Sequence, residues 1–469
     1  MQKARRHSLA RRGPLFLLLT LAIVPSFISP GRSAHVRSAE GKPPNIIFIL
    51  TDDLGYGDLG CYGQRMIQTP NLDRMAAEGI RFTDSYTGNA VCAPARCSLM
   101  TGLHMGHAYI RNNSSPPDTP LRPEDTTVAQ ELQAAGYATG VVGKWGLGNA
   151  TTSGSPNRKG FDYAYGFLEH SEATYYPTTL WRNGQPEAVP ARSYQQDLFT
   201  DDAFKFIQRQ KDGPFFLYLA YMVPHAPYTI PSDAPYSDQP WEQLDKNYAA
   251  MITYLDRDVG RLINLLKDLG IDGNTIVFFS SDNGPESSDI FQSAGPLNGL
   301  KRQLYEGGIR IPMIVRWPGM IMQGQVNSTP WAFWDFFPTA VALAGTSPPM
   351  NLDGISMLPT LLGHEQPPHP PLYWEFRIKN DRGIIQAVRL DQWKGVRIND
   401  RNRRKKNKKK AIELYDLAND IAETRDVSAE HPDIVAQIRE IMQDQHVDLP
   451  LTSSPRSMMA SLHHAGHSH

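Results

Sequence analysis

Two adjacent pairs of oxygen-bearing side chains each follow closely on an apolar run of the sequence. Asp52 and Asp53 come after the run NIIFIL, and Asp282 and Asn283 come after TIVFF. Carboxylate and amide oxygens are the ligands of hard cations such as Ca²⁺ and Mg²⁺, whereas zinc prefers histidine or thiolate. The same residue types also favour turns and helix caps, which is the plainer interpretation of either pair alone. The presence of both pairs at predicted strand ends favours a metal site.

Lys144 and His225 also follow apolar runs, here Thr139–Val142 and Phe215–Ala220. In open α/β sheets, ligand sites form outside the carboxyl ends of the strands. We therefore expect both residues to lie near the acidic pairs, although each one alone is more simply an exposed lysine or a loop histidine.

Strands alternate with helices along the chain, and this order predicts an α/β fold with a large, mostly parallel sheet flanked by helices. The continuous apolar runs are typical of strands that are buried on both faces. Ile311–Val315 is a weaker candidate strand. Val128–Ala135 predicts a short helix that ends before Gly136, and apolar residues at three- and four-residue spacing predict a long amphipathic helix over Tyr248–Leu266.

A proline-rich segment around Gly363–Pro371 marks a predicted domain boundary. We expect a catalytic domain over residues 43–363 and a small C-terminal α+β domain over residues 371–450. The predicted elements of the second domain are the strands Leu372–Phe376 and Ile384–Val388 and a helix near Asp433–Gln443. Two segments are expected to lack regular structure, the basic run 401–410 and the histidine-rich tail 451–469. The basic run is a solvated loop or, as the alternative, a segment that recruits a sulfated polysaccharide by charge.

Residues 1–34 have the composition of a secretory signal peptide. Arginines near the N-terminus precede the short apolar run Leu15–Val24, and the small residues Ser33 and Ala34 follow it. The run is too short to span a bilayer comfortably, so we favour an exported protein, periplasmic or secreted, without a stable membrane anchor. An N-terminal membrane anchor is the alternative.

The overall charge gives no support to a polyanionic partner. Lys and Arg total 47 against 48 Asp and Glu in 469 residues, so we expect no nucleic-acid binding. The three cysteines, Cys61, Cys92 and Cys97, are too few for a disulfide framework. Either one bridge leaves a buried thiol, or a cysteine has a chemical role.

The segment Cys92–Gly102, CAPARCSLMTG, resembles the hallmark of the sulfatase family, C-x-P-x-R followed by Thr-Gly. Other motifs of that family occur in the same order along nearly the whole remaining chain. They are the Asp52-Asp53 pair, GKWGLG at 143–148, PHAP at 224–227, SDNG at 281–284 and GLKRQLYEGGIRIP at 299–312. The pattern is similar to the arylsulfatase-like, formylglycine-dependent type I branch, and it implies an alkaline-phosphatase-like fold.

The resemblance implies a role for particular residues. Cys92 would be oxidised to formylglycine by a separate formylglycine-generating enzyme, and Arg96 would hold the hydrated aldehyde. Lys144, His225 and Lys301 would surround the sulfate. The expected metal ion is Ca²⁺, with Mg²⁺ as the alternative. Its ligands would be Asp52, Asp53, Asp282, Asn283 and the modified Cys92.

Physical chemistry agrees with these implied roles. An unmodified thiolate is a soft ligand and would be out of place among hard oxygens. A hydrated aldehyde supplies hard oxygens and two hydroxyls, one to attack sulfur and one to expel sulfate afterwards. Pro94 suits a first helical turn, which would place Cys92 at a positive helix N-terminus. His225 or Lys301 would protonate the leaving oxygen.

Two features qualify the resemblance. Many sulfatases have a histidine where this chain has Gly146, and its absence puts the step that regenerates the aldehyde in doubt. The stretch Phe161–Trp181 is rich in aromatics and resembles the family's variable substrate-facing region in position. Within it, His170 and Glu172 are candidate substrate-binding residues, although packing explains the aromatics equally well.

The resulting hypothesis is hydrolysis of sulfate esters, with a sulfated carbohydrate or an aryl sulfate as substrate. A phosphatase, phosphodiesterase or phosphonate hydrolase is the first alternative, since related folds use a similar metal site for phosphoryl transfer. A catalytically inactive exported protein that binds metal or glycan is the second, and Gly146 adds weight to it.

Overall fold

The computed structural model describes residues 42–113, 120–169, 172–287, 290–378, 383–400 and 411–448. The predicted signal peptide, His170, the basic run 401–410 and the tail 451–469 lie outside the described residues. Every described residue belongs to one compact unit within His35–His469.

The described residues form strands and α-helices that alternate over the first two thirds of the chain. The strands are β1 Asn45–Thr51, β2 Ile80–Phe82, β3 Ser85–Tyr86, β4 Ala138–Lys144, β5 Tyr163–Phe167, β6 Thr179–Arg182, β7 Gln185–Ala188, β8 Phe215–Ala220, β9 Thr275–Ser281, β10 Met313–Arg316, β11 Gln325–Asn327, β12 Trp331–Ala332, β13 Leu372–Ile378, β14 Gly383–Leu390, β15 Trp393–Asp400 and β16 Ile412–Asp416. The helices are α1 Pro70–Ala77, α2 Cys92–Thr101, α3 Val128–Ala134, α4 Gln195–Gln210, α5 Gln243–Asp268, α6 Glu306–Ile309, α7 Phe336–Leu343, α8 Leu358–Leu361 and α9 Pro432–Asp444.

A large sheet has the strand order β11-β2-β10-β9-β1-β8-β4-β5-β6-β7. Its five central strands, from β9 to β5, are parallel, as the alternation of strands and helices predicted. Both edges are mixed, because β10 runs antiparallel to β9 and β6 runs antiparallel to β5. The weak candidate Ile311–Val315 is thus a real strand, β10, but an antiparallel one.

The central strands are buried on both faces, which explains their unbroken apolar sequences. On β1, Ile46 and Phe48 pack into one core together with side chains of α2, α3 and α7. Ile47 and Ile49 pack into the opposite core against α1, α4 and α5. Helices therefore cover both sides of the sheet, and the predicted fold class is confirmed.

The C-terminal region is a four-stranded antiparallel sheet in the order β13-β14-β15-β16, with α9 against one face. Its other face packs on the large domain in a core that includes Val396 and Trp374. The Trp374 ring contacts the rings of Tyr86 and Trp334, with centroid distances of 5.2 and 5.7 Å. The sequence predicted the first two strands and the helix but missed β15 and β16. In β15 the buried Lys394 interrupts the apolar pattern, since its amine pairs with Glu306 at 2.7 Å.

The domain limits 43–363 and 371–450 stay a prediction. No helix among the described residues is both long and apolar enough to cross a membrane.

Candidate active site

Cys92 is the first residue of α2, directly after the extended residue Val91. The helix is buried along its whole length and ends at Gly102, whose φ of 69° lies in the left-handed region. The sulfur of Cys92 lies 3.3 Å from Oδ1 of Asp52. The sequence prediction that this cysteine begins a helix is therefore correct.

The parallel register brings the two acidic pairs side by side. Thr51 at the end of β1 is level with Ser281 at the end of β9. Ligand atoms of Asp52, Asp53, Cys92 and Asp282 consequently all lie within 4.8 Å of one another, and all four residues are buried.

Asn283 belongs to the same cluster of side chains. Its Nδ2 donates to Oδ1 of Asp53 at 2.7 Å. Its Oδ1 is buried and has no hydrogen-bond partner. Unpartnered buried acceptors are rare, because each one loses its hydration without compensation. This oxygen is therefore available as a ligand atom.

Arg96 and Lys144 pair with carboxylates at the cluster. The Arg96 guanidinium donates to Oδ2 of Asp282 at 2.7 Å and to the carbonyl of Lys144 at 2.7 Å. The Lys144 amine pairs with Oδ2 of Asp52. Burial opposes ionisation of Asp52, yet Lys144, His225 and Arg96 hold its pKa well below the usual range. Burial and the neighbouring Asp52 raise the pKa of Asp282 to about 6.

Lys301 and His225 approach the cluster beside Asp53. The Lys301 amine lies 2.6 Å from Oδ2 of Asp53, and the Asp53 carboxylate helps to raise the pKa of this buried lysine. His225 Nε2 lies 3.7 Å from the same oxygen, and 32% of the His225 side chain is exposed. Its other nitrogen, Nδ1, lies 2.5 Å from the carbonyl oxygen of Ala226. If Nδ1 carries the proton in that bond, Nε2 is left free to act as an acceptor.

Close packing of main chains positions Lys144. It follows Gly143 on β4, which is level with Ala220 on β8 and has a φ of 115°. A Cβ atom on Gly143 would lie 2.0 Å from the Ala220 carbonyl oxygen, so the site tolerates only glycine.

The two substrate-binding candidates of the sequence analysis fare differently. His170 is outside the described residues. The Glu172 carboxylate accepts hydrogen bonds from the main chain at Leu168 and Glu169 and from the Trp181 indole. These contacts organise the loop, and a role in substrate binding stays a prediction.

Tyr175, in the same aromatic stretch, was not singled out by sequence reasoning. It is buried, and its hydroxyl donates to the carbonyl oxygen of His225. Nothing in its position within the sequence distinguishes it from Tyr176, which is 38% exposed. The contact is recognised only in the tertiary structure, where the segment with Tyr175 lies beside the loop with His225.

Apart from His225, no histidine in the described part of the chain lies near Cys92 to take the place of the histidine that many sulfatases have at the position of Gly146. His104 and His107 follow α2 but form a separate cluster with Asp353. His104 Nε2 lies 2.8 Å from Oε1 of Gln445. Of the histidines in the described ranges, only His225 joins Asp52 and Cys92 in a shared group.

Known proteins resemble this chain in sequence and in structure. The family model described as Sulfatase matches residues 44–346, and the model described as N-sulphoglucosamine sulphohydrolase, C-terminal, matches residues 300–448. The N-acetylgalactosamine-6-sulfatase of Mus musculus is 34% identical over 390 residues, which make up 75% of this chain and 72% of that protein. Arylsulfatase A of Homo sapiens is 35% identical over 393 residues, 76% of this chain and 75% of that protein.

Among solved structures, Ps i-CgsB in complex with k-i-k-neocarrahexaose has a TM-score of 0.77 and 32% identity. The similarity covers 86% of this chain and 93% of that one. This match confirms the predicted alkaline-phosphatase-like sheet architecture, and the Sulfatase model spans well over half of the chain. The chain therefore belongs to the sulfatase family and is a sulfuric ester hydrolase.

Proposed function

We propose that this enzyme removes sulfate from a sulfated carbohydrate, using a formylglycine made from Cys92 and a divalent cation held beside it. The observation that carries the proposal is the convergence of Cys92, Asp52 and Asp282 with Arg96 and Lys144 at one edge of the sheet. Cationic and anionic side chains lie together there beside the buried N-terminus of α2. Fixed cations at such a place can stabilise the negative charge on a sulfuryl group during its transfer.

The donor set fits a hard cation. Asp52, Asp53 and Asp282 supply carboxylate oxygens that lie within 4.8 Å of one another, and the unpartnered Oδ1 of Asn283 adds an amide oxygen. Ca²⁺ accepts such a set of oxygens with flexible geometry, so we favour Ca²⁺ over Mg²⁺. When bound, the cation would offset negative charge and acidify a hydroxyl beside it.

The state of Cys92 supports its modification. Burial raises the pKa of the thiol well above its usual value, and Asp52 raises it further. An unmodified Cys92 would therefore stay neutral near pH 7, and a neutral thiol is a poor nucleophile and a poor ligand. Conversion to formylglycine by a generating enzyme would replace it with hydrated-aldehyde oxygens.

The surrounding side chains would divide the remaining tasks. Arg96, fixed by Asp282 and by the Lys144 carbonyl, would orient the modified side chain. Asp52 raises the pKa of Lys144, so this amine stays protonated and would stabilise charge on the sulfuryl oxygens. Lys301 would act on the side nearest Asp53. His225, the most exposed of these residues, would act in its doubly protonated form and deliver a proton from Nε2 to the leaving oxygen.

The substrate class rests on the relatives. One is named N-acetylgalactosamine-6-sulfatase, and another was solved in complex with k-i-k-neocarrahexaose. We extend this chemistry to the present chain and propose a sulfated glycan as substrate, with an aryl sulfate as a surrogate. Export through the signal peptide at 1–34, to the periplasm or the medium, completes the proposal.

The test combines mass spectrometry with paired assays. The protein is produced with and without a formylglycine-generating enzyme, and the peptide containing Cys92 is weighed. We expect conversion of the thiol to an aldehyde and hydrolysis of sulfate esters in proportion to it, with little activity on matched phosphate esters. A Cys97→Ala variant is the control, because Cys97 is buried in the same helix away from the carboxylates. Full conversion without sulfatase activity, or a faster phosphate reaction, would refute the proposal.

A further inference from the structure

A cavity of about 610 Å³ lies between the N-terminal end of α2 and the C-terminal sheet. Three of its lining residues are direct neighbours of the candidate active site. Val91 precedes Cys92, and Arg302 follows Lys301 in the chain. Asn113 accepts a hydrogen bond at Oδ1 from the main-chain nitrogen of Ala93 at 2.9 Å. The cavity therefore borders the place where the sulfate ester would react.

The wall formed by the C-terminal sheet is mostly apolar, with Arg377 as its one charged lining residue among those described. Phe376, Ile385 and Ile398 lie on the strand face that packs toward the large domain, and Leu304 extends this surface. Residues of the large domain add amide and guanidinium groups to the lining, namely Asn112, Asn113, Gln303 and Arg302. A sugar ring has apolar C–H faces and polar edges, and a cavity with one apolar wall and a few convergent polar groups matches that division.

The charged residues that line the cavity, among those described, are all cationic. Arg302 and Arg377 are among its lining residues, and none of the described residues that line it is acidic. The Arg302 side chain is 56% exposed, and its guanidinium pairs with Oε1 of Glu286 at 2.6 Å. Oε2 of the same carboxylate lies 3.4 Å from the Lys301 amine. Glu286 thus holds Arg302 at a defined distance from the reacting region.

From these contacts we infer that the cavity binds the sugar next to the scissile ester, and that Arg302 selects substrates with a second anionic group. The inference rests on the proposed function, and it names the substrate class more closely: a glycan with a further sulfate or a carboxylate near the sulfate that is removed. The Arg302 guanidinium binds such a group in a bidentate manner, which a neutral side chain cannot reproduce.

The first test compares two substrates that share the scissile ester, a monosulfated disaccharide and the same disaccharide with a second sulfate. The enzyme, Arg302→Gln and Arg192→Gln are assayed on both. Arg192 is a matched control, because it is also exposed and has a φ of 65°, close to the 72° of Arg302, but lines a different cavity.

We expect Arg302→Gln to reduce the preference in kcat/KM for the disulfated substrate about tenfold, which corresponds to about 1.4 kcal/mol. Arg192→Gln should leave that preference as it is. If both variants keep the wild-type preference, or if the wild-type enzyme prefers the monosulfated substrate, the inference is wrong.

A binding measurement separates this inference from the proposed function. Cys92→Ala removes the reacting group, so the affinity of the disulfated disaccharide can be measured by calorimetry without turnover. Adding Arg302→Gln to Cys92→Ala should raise the Kd of the disulfated disaccharide about tenfold. This Kd is measured without any hydrolysis of the ester. If Arg302 controls affinity but the wild-type enzyme cleaves no sulfate ester, only the proposed function fails. If the ester is cleaved but affinity is independent of Arg302, only the cavity assignment fails.

Discussion

The hydroxyl of Tyr175 donates a hydrogen bond to the main-chain carbonyl of His225, although 50 residues separate them in the chain. The same hydroxyl lies 3.4 Å from the carbonyl of Met222. The tyrosine ring is buried and stacks on Tyr194 with a centroid distance of 5.9 Å. Tyr175 thus connects the loop that contains His225 to the buried ring of Tyr194.

We predict that Tyr175→Phe lowers kcat more than it changes KM, because the His225 loop loses its anchor while the substrate contacts remain. The lost hydrogen bond should cost about 1 kcal/mol of folding free energy. Steady-state kinetics and denaturant unfolding measure the two effects. Tyr176→Phe is the control, since the neighbouring ring is 38% exposed. Equal kcat values for the two variants would contradict a positioning role.

Asn283 gives a test of the cation site that does not depend on turnover. After chelation, added Ca²⁺ should raise the melting temperature of the wild-type protein. At a hundredfold excess of Ca²⁺ over Kd, the expected stabilisation of the folded state is about 2.7 kcal/mol. Asn283→Leu should lose most of this gain, because the unpartnered Oδ1 is removed. Asn274→Leu also removes an unpartnered buried oxygen, but far from the carboxylates, and should retain the gain. A similar Ca²⁺ response in both variants would argue against this ligand.

Asp58 makes the stability of the protein depend on pH. Burial raises the pKa of its carboxyl from 3.8 to about 7, although Tyr248 and the main chain at Gly55 donate hydrogen bonds to it. Between these two values the unfolded chain has lost the proton and the folded chain retains it, so the folded state is progressively disfavoured as pH rises. The contribution of the Asp58 carboxyl to the free energy of unfolding is therefore fully present below pH 3.8 and is lost by about pH 7.

Asp58→Asn mimics the protonated side chain at every pH. We predict that it flattens the decline in unfolding free energy over this range, a difference on the order of a few kcal/mol at its upper end. Urea unfolding at a series of pH values measures the slope. A variant with the same slope as the wild-type protein would show that another group is responsible.

Gly143 and Gly136 separate the two costs of replacing a glycine. Both have positive φ, 115° and 88°, but a Cβ atom meets the Ala220 carbonyl at Gly143 and nothing within 4 Å at Gly136. Gly136→Ala should cost about 1 kcal/mol from backbone strain alone. Gly143→Ala should cost more and should also reduce activity, because β4 must move and carry Lys144 with it. Thermal unfolding of both variants measures the stability loss, and kcat/KM measures the effect on activity. Equal losses in the two variants would contradict the steric role of Gly143.

The sequence alone determined the central strands and the residues at their ends. Asp52, Asp282 and Lys144 could be assigned to one edge because strands buried on both faces leave unbroken apolar runs, and parallel strands end together. The helix start at Cys92 was equally local, since Pro94 favours a first turn. The C-x-P-x-R motif then identified the family, a step that hydrophobic patterning could not supply.

Only the tertiary structure decided the contacts between segments far apart in the chain. Lys301 reaches Asp53 across 248 residues, and Tyr175 reaches His225 from another loop. The mixed edges of the sheet and the strand that contains the buried Lys394 were hidden for the same reason. Local sequence patterns report which face of an element is apolar, whereas pairing of buried charges and loop positions depends on which other segments happen to pack there.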